Sequence, residues 1–167
     1  WFMVRLFLDT YVHSRRDLKG KVSVPFLGEI PQGRDNSRSK GKRQEMVVTA
    51  DGNDVTSEAF RILRTNMEFM GRKEHPAKVI TFTSFNEGAG KTFTATNLAK
   101  SYVYAKKRVV LVDLDLRKAT LSRAFTDSRV GVSNYLADDS LTLDDILIPS
   151  TDASQPDIVP AGAIAPN

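Results

Sequence analysis

Residues 84–99, SFNEGAGKTFTATNLA, place a glycine-rich turn, a lysine and a hydroxyl residue directly ahead of a helical pattern. The run before the turn, AKVITFTS (77–84), is β-branched and aromatic and reads as a buried strand. The run after it, KTFTATNLAKSYVYAKKR, puts Ala95, Leu98, Ala99, Tyr102 and Val103 on one face and reads as a helix. Strand, glycine loop and helix in that order predict an α/β domain with an anion cradle. Glycines let successive N–H groups point into one concavity, and the helix N-terminus adds partial positive charge.

In such a cradle Lys91 reaches the β- and γ-phosphates of a nucleoside triphosphate and the Thr92 hydroxyl ligates Mg²⁺. The common pattern GxxxxGK[ST] wants a glycine five residues before Gly90, where this chain has Phe85; Gly88, Gly90, Lys91 and Thr92 remain. One helix later, KRVVLVDLDLRKATL reads as a strand, Val109–Val112, ending in Asp113 and Asp115. Ligands sit at that end of open parallel sheets. Carboxylates two residues apart point the same way from an extended chain. Facing a phosphate loop, the pair is suited to holding Mg²⁺ and to taking a proton from an incoming nucleophile.

A chain of 167 residues, 41% hydrophobic and 26% charged, is in the range of one globular domain with a real core. The absence of cysteine excludes a disulfide framework and a thiolate metal site. Charge is uneven. Residues 1–43 carry ten Lys/Arg against four Asp/Glu, and the remainder fourteen against sixteen. The opening WFMVRLFLDTYVHSRRDLKGK has an apolar run broken by Arg5, well short of the roughly 20 residues a bilayer needs. It also lacks the order of a signal peptide. Two readings are open: the cytoplasmic exit of a transmembrane helix, with Arg15, Arg16, Lys19 and Lys21 inside, or an amphipathic helix packed on its own domain. After VPFLGEIP, the polar stretch QGRDNSRSKGKRQE reads as a mobile linker. Its basic residues Arg34, Arg38, Lys40, Lys42 and Arg43 are either solvated or laid against anionic headgroups at about 1 kcal/mol each. No aromatic residues are interleaved to stack on bases, so no nucleic-acid partner is expected.

DVTSEAFRILRTNMEFMG predicts a helix from residue 54 that ends at Gly71, with Ala59, Phe60, Leu63, Met67 and Met70 facing a core. Glu58, Arg61, Arg64, Glu68 and Arg72 gather opposite, as a solvated face laced with ion pairs or as a contact surface.

GAGKT followed by DLDLR resembles the deviant Walker A and Walker A′ motifs of the bacterial tyrosine kinases, the cytoplasmic kinases of polysaccharide co-polymerase systems. EAFRILR is similar to that family's ExxRxxR helix and FLGEIP to its juxtamembrane segment. GVSNYLADD and DIVPAGAIAPN extend the resemblance over nearly the whole chain. The MinD and ParA type ATPases usually carry a lysine five residues before the Walker lysine; here that position is Asn86.

The resemblance implies a P-loop NTPase-like three-layer α/β fold with a mainly parallel sheet, incomplete at the C-terminus. Residues 1–33 would be a juxtamembrane segment, 34–50 a basic flexible linker and 51–167 the N-terminal part of the kinase domain. Glu87, Gly88, Ala89, Gly90, Lys91, Thr92 and Phe93 would cradle ATP. Lys91, Asp113 and Asp115 would be catalytic, with Asp113 assisting deprotonation of a substrate tyrosine and Thr92 and Asp115 holding Mg²⁺. Glu58, Arg61 and Arg64 would join subunits of a ring at the cytoplasmic face of the inner membrane, tethered by a transmembrane part of the same polypeptide. Two departures stand beside these implications. APN comes before any Walker B strand end or tyrosine-rich tail, and Tyr11, Tyr102, Tyr104 and Tyr135 are scattered. An ATPase switch of the MinD or ParA kind and a non-catalytic nucleotide-binding regulator of polysaccharide export are the alternatives.

Overall fold

The structure, a computed structural model, describes residues 12, 15–18, 20–31, 46–70, 78–86 and 88–163. The N-terminal apolar run, most of the basic linker, Tyr11, Gly71, Arg72, Glu87 and the final APN lie outside the described residues. Elements run α1 (Arg15–Leu18), α2 (Val55–Met70), α3 (Lys91–Tyr104), β1 (Val110–Val112), α4 (Thr120–Phe125), α5 (Val132–Ala137), α6 (Leu143–Ile146) and β2 (Asp157–Val159). Among the described residues, no helix is long and apolar enough to cross a membrane.

β1 and β2 pair in parallel, with Leu111 opposite Ile158, and Ile148 bridges the far edge of β2. Alternation along these short strands sends side chains to two faces. Leu111 and Ile158 pack with Ala99 of α3 and Leu121 of α4, whereas Val159 packs with Val132 of α5 and Ile146 of α6. The layered α/β plan expected from the strand–loop–helix order is therefore present around β2. Val110 and Val112 remain about half exposed.

The expected strand at 77–84 is not formed. Residues 78–84 run extended outside the sheet, and no main-chain bond joins 78–83 to another described segment. Val79 is 84% exposed, and Phe82 alone of this run joins the core cluster of α2 and α3. β-branched composition favours a pleated surface only where a neighbouring edge is available to pair.

α2 follows its apolar period. Phe60 and Leu63 are buried and meet Leu98 of α3 and Val48, with Phe60 and Phe93 in a tilted ring contact at 5.9 Å. Two expectations about this helix are corrected. Met70 is 54% exposed, at the last turn, beyond the reach of the core. Arg64 turns inward, its guanidinium donating to the Ser101 carbonyl at 2.5 Å and to Ser101 Oγ at 3.1 Å. Position 64 lies only roughly 40° around the helix from Phe60, so its long stem can follow the core edge. Asn66 donates to the Leu27 carbonyl, which seats the FLGEIP segment on the same helix.

Asp54 caps α2: its carboxylate accepts from the Ser57 N–H at 2.8 Å and from the Ser57 hydroxyl, and Thr49 adds a longer bond. The Ser57 hydroxyl and then its N–H hold the Asp54 carboxyl below the usual carboxylate range. A depressed folded value means the contribution is present above the unfolded pKa of about 3.9 and is lost as pH falls through the folded value. Asp54→Ala is expected to cost about 1 kcal/mol at pH 7. The deficit should shrink on acidification below pH ~3.9, as read by denaturant unfolding of both proteins; a pH-independent difference would contradict the cap.

Asn97, fully buried in α3, ties the end of the linker region to the helix behind the glycine loop. Its Oδ1 accepts from the Val47 and Val48 N–H groups at 2.8 and 3.1 Å, and its Nδ2 donates to the Phe93 carbonyl. Asn97→Leu leaves the buried Val48 donor and the half-buried Val47 donor unpaired and is expected to destabilise by about 2–3 kcal/mol. Amide exchange at Val47 and Val48 should accelerate with it, and unchanged exchange there would refute the tie.

Candidate phosphate-binding site

The loop at 88–92 has the backbone that its glycines allow. Gly88 and Gly90 adopt φ of 73° and 86°, and a Cβ built on either meets open space rather than protein. The left-handed conformation, not crowding, is what selects glycine at both positions. Gly90 begins α3, and its carbonyl accepts the first helical bond from the Thr94 N–H. No side chain caps α3 and no acidic residue sits in its first turn. Free N–H groups, partial positive charge and Lys91 therefore converge on the mouth of the loop. Such a set of donors fits a phosphate.

Lys91 Nζ donates to Ser84 Oγ at 2.9 Å, and Ser84 Oγ in turn donates to the Asn86 carbonyl. Ser84 was not singled out by the sequence; only its place one residue before the missing glycine hinted at a role. Phe85, in the position of that glycine, is fully exposed.

The two aspartates stand at the C-terminal end of β1, as the sequence suggested, but in different surroundings. Asp113 is 4% exposed and its carboxylate accepts three bonds: from the Ser122 N–H at 2.8 Å, the Ser122 hydroxyl at 2.6 Å and the Asp115 N–H at 3.1 Å. Ser122 Oγ also accepts from the Ala161 N–H, so one buried hydroxyl joins β1, α4 and the segment after β2. Sequence reasoning missed Ser122, because a serine inside ATLSRAF carries no periodic signal. Asp115 is exposed, and its Oδ1 accepts from the Arg117 and Lys118 N–H groups. None of these bonds reaches the loop at 88–92, and Lys91 is joined to Ser84 rather than to either aspartate. Among the described residues no cluster of three or more acidic or histidine side chains is placed to hold a metal alone. A magnesium ion bound through one or two carboxylates plus phosphate oxygens needs no such cluster.

On α2, Arg61 and Glu58 form an exposed ion pair at 2.6–2.7 Å. An i,i+3 pair of this kind contributes about 0.3–0.5 kcal/mol. Arg64 faces Ser101 as described above.

Residues 80–150 form a domain of the CbiA/ParA nucleotide-binding type: they match the CobQ/CobB/MinD/ParA nucleotide binding domain, and the fold is that of P-loop NTPases. The relatives within that class are bacterial tyrosine-protein kinases. The chain is 36% identical over 114 residues to tyrosine-protein kinase CpsD of Streptococcus agalactiae, covering 67% of this chain and 48% of CpsD. It is 33% identical over 135 residues to tyrosine-protein kinase YwqD of Bacillus subtilis, covering 80% of this chain and 55% of YwqD. The chain thus spans about half the length of these curated relatives. Among solved structures it resembles the BceF tyrosine kinase domain, with a TM-score of 0.75 and 27% identity over 92% of this chain and 64% of that one. The kinase domain of the Escherichia coli tyrosine kinase ETK gives a TM-score of 0.75 and 25% identity over 94% and 63%.

Proposed function

We propose that this chain is part of an ATP-dependent protein-tyrosine kinase that regulates polysaccharide synthesis and export at the cytoplasmic face of a bacterial inner membrane. The open, donor-lined loop at 88–92 in a chain similar to tyrosine-protein kinases is the observation that carries this reading. Phosphoryl transfer asks chiefly for positioning and charge neutralisation. The amides of residues 88–93, with Glu87, cradle the phosphates, and the Lys91 ammonium exchanges its Ser84 partner for phosphate oxygens. Thr92 and Asp115 would hold Mg²⁺, which when bound would neutralise charge on the transferring group. Asp113, bonded to the Asp115 N–H, fixes the direction of its neighbour. Its own role in taking the substrate proton requires the Ser122 hydroxyl to turn aside; the exposure of Asp115 supports it as the alternative carboxylate for a tyrosine hydroxyl. Glu58 and Arg61 are presented for contact with a neighbouring subunit in a ring, and Arg64 anchors their helix to α3.

The match to the MinD and ParA nucleotide-binding model favours a second reading, an ATPase switch that hydrolyses ATP to control its own association. γ-Labelled ATP separates the two. Label on protein tyrosine supports the kinase, whereas release of free phosphate with unlabelled protein supports the switch.

A further inference from the structure

Behind the exposed Asp115 a chain of buried bonds runs back to one hydroxyl. Ser122 is 5% exposed and Asp113 4%. A hydroxyl carries one proton and two lone pairs, whereas a backbone N–H can only donate. The Ala161 N–H donates to Ser122 Oγ at 2.8 Å, so the Ser122 proton is committed to Asp113 Oδ2 at 2.6 Å. The Ser122 N–H takes the same oxygen, and Asp113 Oδ1 accepts the Asp115 N–H at 3.1 Å. Ala161 thus fixes the hydroxyl, the hydroxyl fixes the carboxylate, and the carboxylate fixes the main chain at Asp115.

The turn held in this way is one the chain does not adopt freely. It closes through the Ala119 N–H to the Asp115 carbonyl at 2.8 Å, and Ala119, 2% exposed, has φ of 46°. A residue with a side chain persists in the left-handed region only where its surroundings over-determine it, and such residues cluster at functional sites. What the turn delivers is the Asp115 carboxylate, exposed at the end of β1. The Arg117 and Lys118 N–H groups both donate to its Oδ1, so among the described residues Oδ2 is the oxygen left for a ligand.

We propose that Ser122 is a positioning residue for phosphoryl transfer: oriented by the Ala161 N–H, its hydroxyl locks Asp113 as a strut, and the strut presents the Asp115 carboxylate to the ligand of the phosphate loop. The inference deepens the kinase reading and rests on it for the reaction. It divides the labour of the paired aspartates. Asp113 serves the fold of the turn, and Asp115 is the member that meets the ligand. Because Ser122 lies beneath the turn and makes no bond to the loop at 88–92, its removal acts on the presentation of Asp115 and not on the amides and ammonium that hold ATP.

The test compares Ser122→Ala with Ser122→Thr, which keeps the hydroxyl. Asp145→Ala, which breaks the exposed cap of α6 at Thr142, is the control for lost stability. In the full polypeptide Ser122→Ala should lower kcat for tyrosine phosphorylation about 10-fold or more, the scale of substitutions behind a ligating group, and leave the KM for ATP unchanged. In the 167-residue chain with ATP it should weaken Mn²⁺ binding about 10-fold. Hydrogen exchange at the Asp115 N–H should quicken by about the same factor. Ser122→Thr should restore kcat, Mn²⁺ affinity and exchange together, and Asp145→Ala should leave all three at the parent level whatever its Tm. Parent kcat in Ser122→Ala, an equal fall in Asp145→Ala, or a folded Ser122→Thr as impaired as Ser122→Ala would overturn the inference. A parent protein that labels no tyrosine defeats the kinase reading instead. Mn²⁺ affinity and Asp115 exchange then decide the inference alone, and it fails if neither responds to Ser122→Ala.

Discussion

Lys91→Met is expected to lower tyrosine phosphorylation at least about 100-fold, the scale seen when one preorganised charge-stabilising donor is removed. The midpoint of thermal unfolding should move little. In the structure the Lys91 side chain is exposed and makes one bond, to Ser84 Oγ, so its loss falls among surface substitutions within about 0.5 kcal/mol. The pairing of a large effect on transfer with a negligible one on stability is the mark of a residue held for a ligand. Phosphotyrosine at the unsubstituted level would refute the assignment. A collapse of Tm would show that the lysine serves the fold instead.

The largest stability effect should come from Gly131→Ala. Gly131 has an extended backbone that any residue adopts, so conformational freedom is not the reason for glycine here. Contact is the reason: a built Cβ would collide with the Pro160 carbonyl and stand 2.5 Å from the Gly162 nitrogen. Both neighbours are backbone, pinned by bonds from the Val132 N–H to the Pro160 carbonyl and from the Ser133 N–H to the Ala161 carbonyl. The start of α5 and the segment after β2 would have to part, which costs about 3 kcal/mol or more, on the order of 10 °C in Tm for a chain of this size. A loss under about 1 kcal/mol in denaturant unfolding would show that the two segments separate easily. Ser122 and Asp113 join the same region through the Ala161 N–H, so the junction also bears on how the aspartates are held.

The parts of the fold legible in the sequence were those with strong periodicity. α2 follows its apolar spacing, α3 does so at Leu98 and Ala99 while also burying Thr96, Asn97 and Ser101, and the strand expected at Val109–Val112 forms over Val110–Val112 and pairs with β2. The composition of AKVITFTS says that the run suits a sheet, not that an edge is free to meet it; no described strand pairs with residues 78–84. A binary pattern treats charge as exposure and so puts Arg64 outward, whereas the aliphatic stem of arginine lets its head reach the Ser101 carbonyl at the core margin. At the site, the glycines, Lys91 and the paired aspartates could be found from motif spacing. Ser84, Asn97 and Ser122 could not, since each acts through a partner distant in sequence or through a loop conformation that no period encodes. Of these, Asn97 left a faint trace as an amide among the apolar positions of α3.

The central physical claim is that the loop at 88–92 grips a polyphosphate that Asp113 and Asp115 face through a shared metal. The most direct test is an amide-resolved nuclear magnetic resonance titration of the protein with ATP, first with Mg²⁺ and then with paramagnetic Mn²⁺ in its place. The account predicts shifts at Gly88, Ala89, Gly90, Lys91 and Thr92 on nucleotide addition, and Mn²⁺ broadening concentrated at Thr92, Asp113 and Asp115. Shifts that bypass this loop, or broadening that leaves both aspartates sharp, would contradict it.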